Sequence, residues 1–292
     1  MNIGIAGTGR MGAAIAQRLL NLGHTVRVWN RTRERAAALE KDGAIVCATP
    51  AELAASSEVI ITMLTDAAAI ERTYGEADGL LADEARGKTF IEMSTVRPQT
   101  ECALAVRIHA KGGAMIECPV GGTVGPAREG KLLGIVGGAA EDVERMRPLL
   151  DTLCRRWEHL GPIGAGASGK LAINLPLMVF WQAFGEALAL VQHLGVDANR
   201  LVDLFADTSG GPNVLKARGK ALAEEMAGGY TGPVAFDIDS MRKDLHAMID
   251  DGKSLGYGMP ITSQTLACFD ALASAGLGPK DSVVIPVRFA QR

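Results

Sequence analysis

The chain has 292 residues, with 30 basic against 33 acidic side chains and 48% hydrophobic residues. That is length for about two globular domains. A net charge of -3, with no run of like charge longer than a few residues, excludes the basic footprint of a nucleic-acid binder. Cysteines 47, 102, 118, 154 and 268 are odd in number and form no CxxC pair. They make neither a disulfide framework nor a zinc site and fit a reducing, cytoplasmic setting. Histidines 24, 109, 159, 193 and 246 show no ligand spacing, so no metal is expected. The apolar start of the chain is interrupted by Arg10 and Arg18 and reads as mature protein rather than a signal peptide. Glycine is the outlier, at 35 residues against an ordinary level of roughly 7%.

Residues 2–6 (NIGIA) are a short β-type run, followed by GTGRMG and a helical-period segment from Ala13 to Leu22 that Gly23 stops. HTVRVW (24–29) alternates as a second strand. The segment after it is helical, with Thr32 as N-cap and Gly43 at its end. The beat continues through strands at 44–48, 58–64, 89–94 and 114–120, with helices at 50–55 and from Ala67 and Gln99. Residues 132–138, a helix at 140–153 and a strand near Trp157 to Leu160 complete the unit. Strands alternating with helices in this way predict a doubly wound α/β domain of Rossmann type with a parallel sheet. From Gly161 the alternation stops. Helical periods at roughly 170–194, 197–207, 212–227, 235–255 and 260–275 predict an all-α second domain. The expected division is 1–162 and 163–292, joined by a long helix. The apolar stretch 175–190 carries Gln182 and Glu186 and is shorter than the roughly 20 apolar residues a span needs. It reads as a buried helix, and no membrane partner is expected. Pro176 either kinks that helix or falls near its first turn.

Gly7-Thr8-Gly9-Arg10-Met11-Gly12 is G-x-G-x-x-G, placed after a strand and opening a helix. In that setting Gly7 makes the tight turn, Gly9 lets backbone approach a pyrophosphate, and Gly12 permits close helix–strand packing. The exposed N–H groups and the positive helix end then meet phosphates. The residue that reads the adenosine ribose belongs at the end of the second strand, where this chain has Asn30-Arg31-Thr32-Arg33. A neutral amide, a hydroxyl and two guanidinium groups suit a 2′-phosphate, so NADP is expected over NAD. Gly164 to Lys170 also satisfies G-x-x-x-x-G-K, but Leu171 stands where a triphosphate-binding loop needs Ser or Thr for magnesium.

Six blocks in order carry a resemblance: GIAGTGRMG (4–12), MLTD (63–66), MSTVRP (93–98), ECPVGGTVGPAREGKL (117–132), GAGASGKLAIN (164–174), and Phe236 with Lys243-Asp244-Leu245. With them the whole chain resembles the β-hydroxyacid dehydrogenase family, which includes 3-hydroxyisobutyrate dehydrogenases and glyoxylate/succinic semialdehyde reductases. The resemblance implies that Lys170 is the catalytic lysine and Asn174 its partner. It implies that Thr95, Gly121, Gly122 and Thr123 hold a substrate carboxylate, and that Leu64 and Thr65 cover the cofactor. Phe236, Lys243 and Asp244 fall on the block with which the helical domain closes a cleft over nicotinamide and substrate. It also implies a homodimer or homotetramer.

Elementary chemistry agrees. Lys170 and Asn174 are i, i+4, one helical turn apart. An ammonium can protonate a carbonyl oxygen while a cofactor delivers hydride, and an amide can hold that oxygen in line. In the oxidative direction the lysine must be neutral, which a dry cleft and the like charge of Lys243 favour. Gly121 stands where the family usually has Ser, leaving a roomier pocket. A hydroxy amino acid of D-threonine or phenylserine type is therefore an alternative substrate to a plain hydroxy acid. An imine reductase is a rival reading that Lys170 argues against, and a non-catalytic NADP-binding protein is another.

Overall fold

The computed structural model describes residues 1–291. The chain forms two compact units, Met1–Leu171 and Ala172–Arg292.

The first unit is α/β. Its strands are β1 (Asn2–Ala6), β2 (Thr25–Trp29), β3 (Ile45–Val46), β4 (Val59–Thr62), β5 (Thr89–Glu92), β6 (Ala114–Glu117), β7 (Val120–Gly121), β8 (Leu132–Gly138) and β9 (Cys154–Gly161). Between them run helices α1 (Arg10–Asn21), α2 (Arg33–Ala37), α3 (Pro50–Ala55), α4 (Ala67–Gly75), α5 (Pro98–Ala110), α6 (Val124–Glu129) and α7 (Ala140–Leu153). The order across the sheet is β3-β2-β1-β4-β5-β6-β8-β7, with β9 beside β8. Alternation of side chains separates two apolar layers. Val59, Ile61, Ile91 and Ile116 pack on one face, and Ile60, Phe90 and Met115 pack on the other. All seven are buried, each contributing about 1.5–3 kcal/mol by leaving water. The strand order reverses between β1 and β4, which opens the ligand crevice of such sheets beyond their carboxyl ends.

The sheet departs from the all-parallel expectation at one edge. β8 runs antiparallel to β6 and β7, while β9 is parallel to β8. Parallel neighbours need a crossover that packs across the sheet. Here α6 is only six residues long, and Gly130 ends it in the left-handed region at φ +69°, so the chain re-enters β8 in the opposite direction.

Helix α8 (Ala165–Val191) is 27 residues long. It begins ten residues before the apolar stretch read from the sequence, and Pro176 lies inside it. By length and composition Ala165–Leu194 could cross a bilayer. Its first two turns pack with the first unit, which by compactness runs to Leu171. A Cβ on Gly166 would stand 2.6 Å from the carbonyl oxygen of Ile135, and one on Gly169 would stand 2.4 Å from a methyl of Leu160.

The second unit contains the rest of α8, then α9 (Ala198–Ala206), α10 (Asn213–Met226), α11 (Ile238–Ser254), α12 (Pro260–Leu272) and α13 (Val284–Ala290). The last helix had no counterpart in the sequence reading. Met178, Trp181, Phe184 and Leu188 form the buried stripe of α8, at the spacing a helix dictates. Phe184 meets Phe205 of α9 edge-on, with ring centroids 5.1 Å apart.

Candidate active site

The loop after β1 turns at Gly7, whose φ of +99° admits glycine readily. A Cβ there would lie 2.3 Å from the carbonyl oxygen of Met63. The loop is thus pressed against the segment following β4, with Leu64 beside it, while Thr65 is exposed. Gly12 is equally constrained, because its Cβ would sit 1.9 Å from the carbonyl oxygen of Gly7. Gly9 differs. Nothing lies within 4 Å of a Cβ placed on it, and its φ of -67° and ψ of -168° are ordinary extended values. Gly9 caps α1 with no side-chain hydrogen bond, and the first turn of that helix holds no acid. No cap side chain and no acid offset its positive end. Thr8 Oγ1 is buried and has no hydrogen-bond partner among the described residues. Open space at Gly9, a helix start without cap or acid, and an orphaned hydroxyl fit a dinucleotide pyrophosphate. Arg10 is exposed and Met11 half-buried at the same helix start.

Asn30, expected at the ribose, is tied into the protein. Its Oδ1 accepts the N–H of Thr8 at 3.1 Å, and its Nδ2 donates to the carbonyl of Thr32 at 2.9 Å. It braces the loop after β1 against the start of α2. Thr32 N-caps that helix without a side-chain bond, and Arg31, Thr32 and Arg33 are exposed.

Three buried glutamates, absent from the sequence-derived site, lie behind the crevice. Glu92 ends β5, Glu117 ends β6 and Glu101 is on α5. Each is fully buried. Glu92 accepts the N–H of Ser94 at 2.7 Å and the hydroxyl of Thr62. Ser94 in turn accepts the N–H of Leu64 at 2.8 Å. This chain of bonds fixes the segments carrying Leu64 and half-buried Thr95. Burial raises the Glu92 carboxyl to about 7 against the bonds that hold it down. Neither carboxyl oxygen of Glu101 has a hydrogen-bond partner among the described residues. Burial first, then the charges of Glu92 and Glu117, push its carboxyl well above the usual range. A clue was available in the sequence: both TFIE and AMIE end an apolar strand on a charge, which buried strands otherwise avoid.

Gly121 lies on β7, and Gly122 follows at φ +124°. Thr123 N-caps α6. A Cβ on Gly121 would make ordinary contact with Leu133 at 3.5 Å, so packing does not demand glycine there.

Lys170 and Asn174 stand one turn apart on α8, each 7% exposed. Within the second unit Asn174 Nδ2 donates to Asp244 Oδ2 at 3.2 Å, while Lys243 Nζ lies 2.9 Å from Asp244 Oδ1. Asp244, 2% exposed, thereby orients both the amide and the ammonium. Half-buried Phe236 is held through its carbonyl, which accepts the N–H of Ser282 at 2.9 Å. Next to it, Asp281 accepts the N–H of Ala235 at 2.7 Å and pairs with Arg218 at 2.8 Å.

Two family models divide the chain between them. Residues 2–161 match the NAD binding domain of 6-phosphogluconate dehydrogenase. Residues 164–287 match the NAD-binding domain of NADP-dependent 3-hydroxyisobutyrate dehydrogenase. The chain belongs to the β-hydroxyacid dehydrogenase family. It is an oxidoreductase whose first unit is a nicotinamide-dinucleotide-binding Rossmann domain. Glyoxylate/succinic semialdehyde reductase 1 of Arabidopsis thaliana is 31% identical, over 100% of both chains. The 3-hydroxyisobutyrate dehydrogenase of Pseudomonas aeruginosa is 32% identical over 94% of this chain and 93% of its own length. The structure of Mycobacterium tuberculosis 3-hydroxyisobutyrate dehydrogenase with L-serine superimposes with a TM-score of 0.85. It is 26% identical and covers 98% of this chain and 97% of that one.

Proposed function

We propose that this protein is an NADP-dependent dehydrogenase or reductase that interconverts a β-hydroxy acid and its semialdehyde or ketone, with Lys170 as general acid and base. The observation that carries this reading is Lys170 itself: a buried lysine near the start of α8, one turn before an asparagine whose amide a buried aspartate orients. A lysine near a helix start is ordinarily a solvated charge. Here burial, and the oriented partner one turn on, give it a chemical use.

When bound, the nicotinamide supplies or accepts the hydride. The backbone N–H groups that open α1 would hold the pyrophosphate, and Arg31 and Arg33 would meet the 2′-phosphate that distinguishes NADP. The turn at 121–123 and the Thr95 hydroxyl bind the substrate carboxylate. In reduction, the Lys170 ammonium gives its proton to the substrate carbonyl oxygen; in oxidation, the neutral amine takes the proton of the hydroxyl. Asn174 steadies that oxygen. Replacing Lys170 by Ala lowers kcat by about 10²–10⁴-fold with NADPH affinity nearly unchanged. Retained activity overturns the assignment.

A second substrate class is favoured by two observations. Gly121 leaves space that packing would let a side chain fill, and a solved relative is described with L-serine. A β-hydroxy-α-amino acid is thus the alternative substrate to a plain β-hydroxy acid. A panel read at 340 nm with NADP and NAD, against 3-hydroxyisobutyrate, the serine and threonine isomers and phenylserine, separates them. Glyoxylate and succinic semialdehyde with the reduced cofactors complete it. Exposed Ile173 and Leu190 on α8 and Leu194 just beyond it support a homo-oligomer built on that apolar helix.

A further inference from the structure

Glu117 is a fully buried carboxylate with an unusual set of partners. Its Oε1 accepts the backbone N–H groups of Gly164 at 2.6 Å and Gly166 at 2.8 Å. Its Oε2 accepts that of Ala167 at 3.2 Å. These amides flank and open the first turn of α8, so a side chain from the end of β6, 47 or more residues away in sequence, caps the helix. The niche is shaped for it by glycine. A Cβ on Gly137 would stand 2.2 Å from Glu117 Oε1, and one on Gly166 would stand 3.2 Å from its Cδ.

We propose that Glu117 is the positioning residue for Lys170, fixing the origin and direction of the helical turn from which that side chain springs. The inference rests on the reading of Lys170 as the proton carrier. From Ala167 to Lys170 the helix rises about 4.5 Å, less than one turn. With the length of the lysine side chain added, a tilt of about 10° at the cap carries Nζ some 1–2 Å, a displacement that costs proton-transfer geometry dearly. The groups that face Glu117 are the carboxyls of Glu92 and Glu101 and the thiols of Cys102 and Cys118. Its charge is opposed by burial and supported by the three amides.

The test compares Glu117→Gln, Glu117→Asp and Lys170→Ala in the full chain. It uses carbonyl reduction with NADPH, with melting temperature, NADPH affinity by fluorescence, and kcat against pH as readouts. Gln replaces one acceptor oxygen with an NH₂ facing an amide donor and removes the charge. NADPH affinity then stays within about twofold, kcat falls about 10–100-fold, and the alkaline limb of kcat moves to lower pH by roughly 0.5–1 unit, because an anion beside the helix start favours the ammonium. Asp keeps the charge but falls about 1.5 Å short of the amides. It lowers kcat to an intermediate value and leaves the limb in place. Should Glu117→Gln not fold, Glu117→Asp alone decides, and a wild-type kcat there overturns the proposal. So does an unmoved limb in Glu117→Gln, or a loss of kcat that tracks only the folded fraction. An inactive Lys170→Ala beside an unchanged Glu117→Gln refutes the positioning role alone; an active Lys170→Ala refutes both.

Discussion

Two glycines of the loop after β1 stand in opposite surroundings, and Gly9→Ala and Gly12→Ala separate them. At Gly12 a methyl group would stand 1.9 Å from the Gly7 carbonyl oxygen. Relieving that to an ordinary contact near 3.5 Å moves backbone by about 1.6 Å, and overpacking of this kind costs about 1–3 kcal/mol. In a unit of this size that lowers the melting temperature by roughly 3–10 °C. At Gly9 the methyl group meets nothing within 4 Å and the backbone is already extended. Gly9→Ala therefore melts at or slightly above the wild-type temperature, since alanine stabilises by about 0.4–1 kcal/mol through the unfolded chain. Its methyl group instead occupies the approach to the pyrophosphate. Losing two charge-assisted N–H bonds there weakens cofactor binding about 100-fold. Scanning calorimetry without ligand and fluorescence titration with NADPH read the two effects independently. If Gly9→Ala binds within threefold of wild type, the phosphates do not approach at this point. If Gly12→Ala melts like wild type, the packing argument fails.

Arg31→Ala lowers kcat/KM with NADP by about 10–100-fold and leaves that with NAD within about twofold, as loss of a charge-assisted phosphate bond requires; equal losses with both cofactors refute the 2′-phosphate role. Glu92 binds its proton more tightly folded than unfolded. Between pH 4.5, its ordinary value, and about 7, its folded value, the folded state holds a proton that the unfolded state has released. Stability contributed below that window is lost as pH rises through it, by about 3 kcal/mol at most. Glu92→Gln flattens this slope in urea unfolding at pH 5 and 8, and an unchanged slope counts against the buried carboxyl as its origin. In multi-angle light scattering the protein elutes as a dimer or larger, and a monomer at micromolar concentration removes the oligomer from the proposal.

Elements governed by local patterning were legible. β1, the phosphate loop, α1 and β2 follow from a β-type run, three glycines and a helical period, and α9 to α12 from apolar spacing alone. Features that depend on distant partners were not. The antiparallel turn into β8 hinges on the shortness of α6, which composition does not reveal. The packing of the start of α8 was not legible either: glycines 166 and 169 let it lie against β8 and β9, a close approach with no sequence period. Asn30 was read for the ribose because of its place after β2. Its amide bridges Thr8 and Thr32 because the phosphate loop folds back over it, 22 residues away. Lys170 and Asn174 were reached through the family resemblance, with which their i, i+4 spacing agrees, whereas the hold of Asp244 on Asn174 depends on the fold that brings together residues 70 apart.

The helix that carries Lys170 also sets how this chain can be divided. A first domain excised where the dinucleotide-binding match ends, at residue 161, would lose the three amides that satisfy Glu117 and leave that carboxylate stranded in an apolar interior beside Glu92 and Glu101. A second domain started at Ala172 would begin in mid-helix. Packing separates the two units, but autonomy does not follow from it. Swapping cofactor domains among relatives therefore has to carry the glycine-rich turn and the first two helical turns with the donor sheet, so that the acid and its amides travel together.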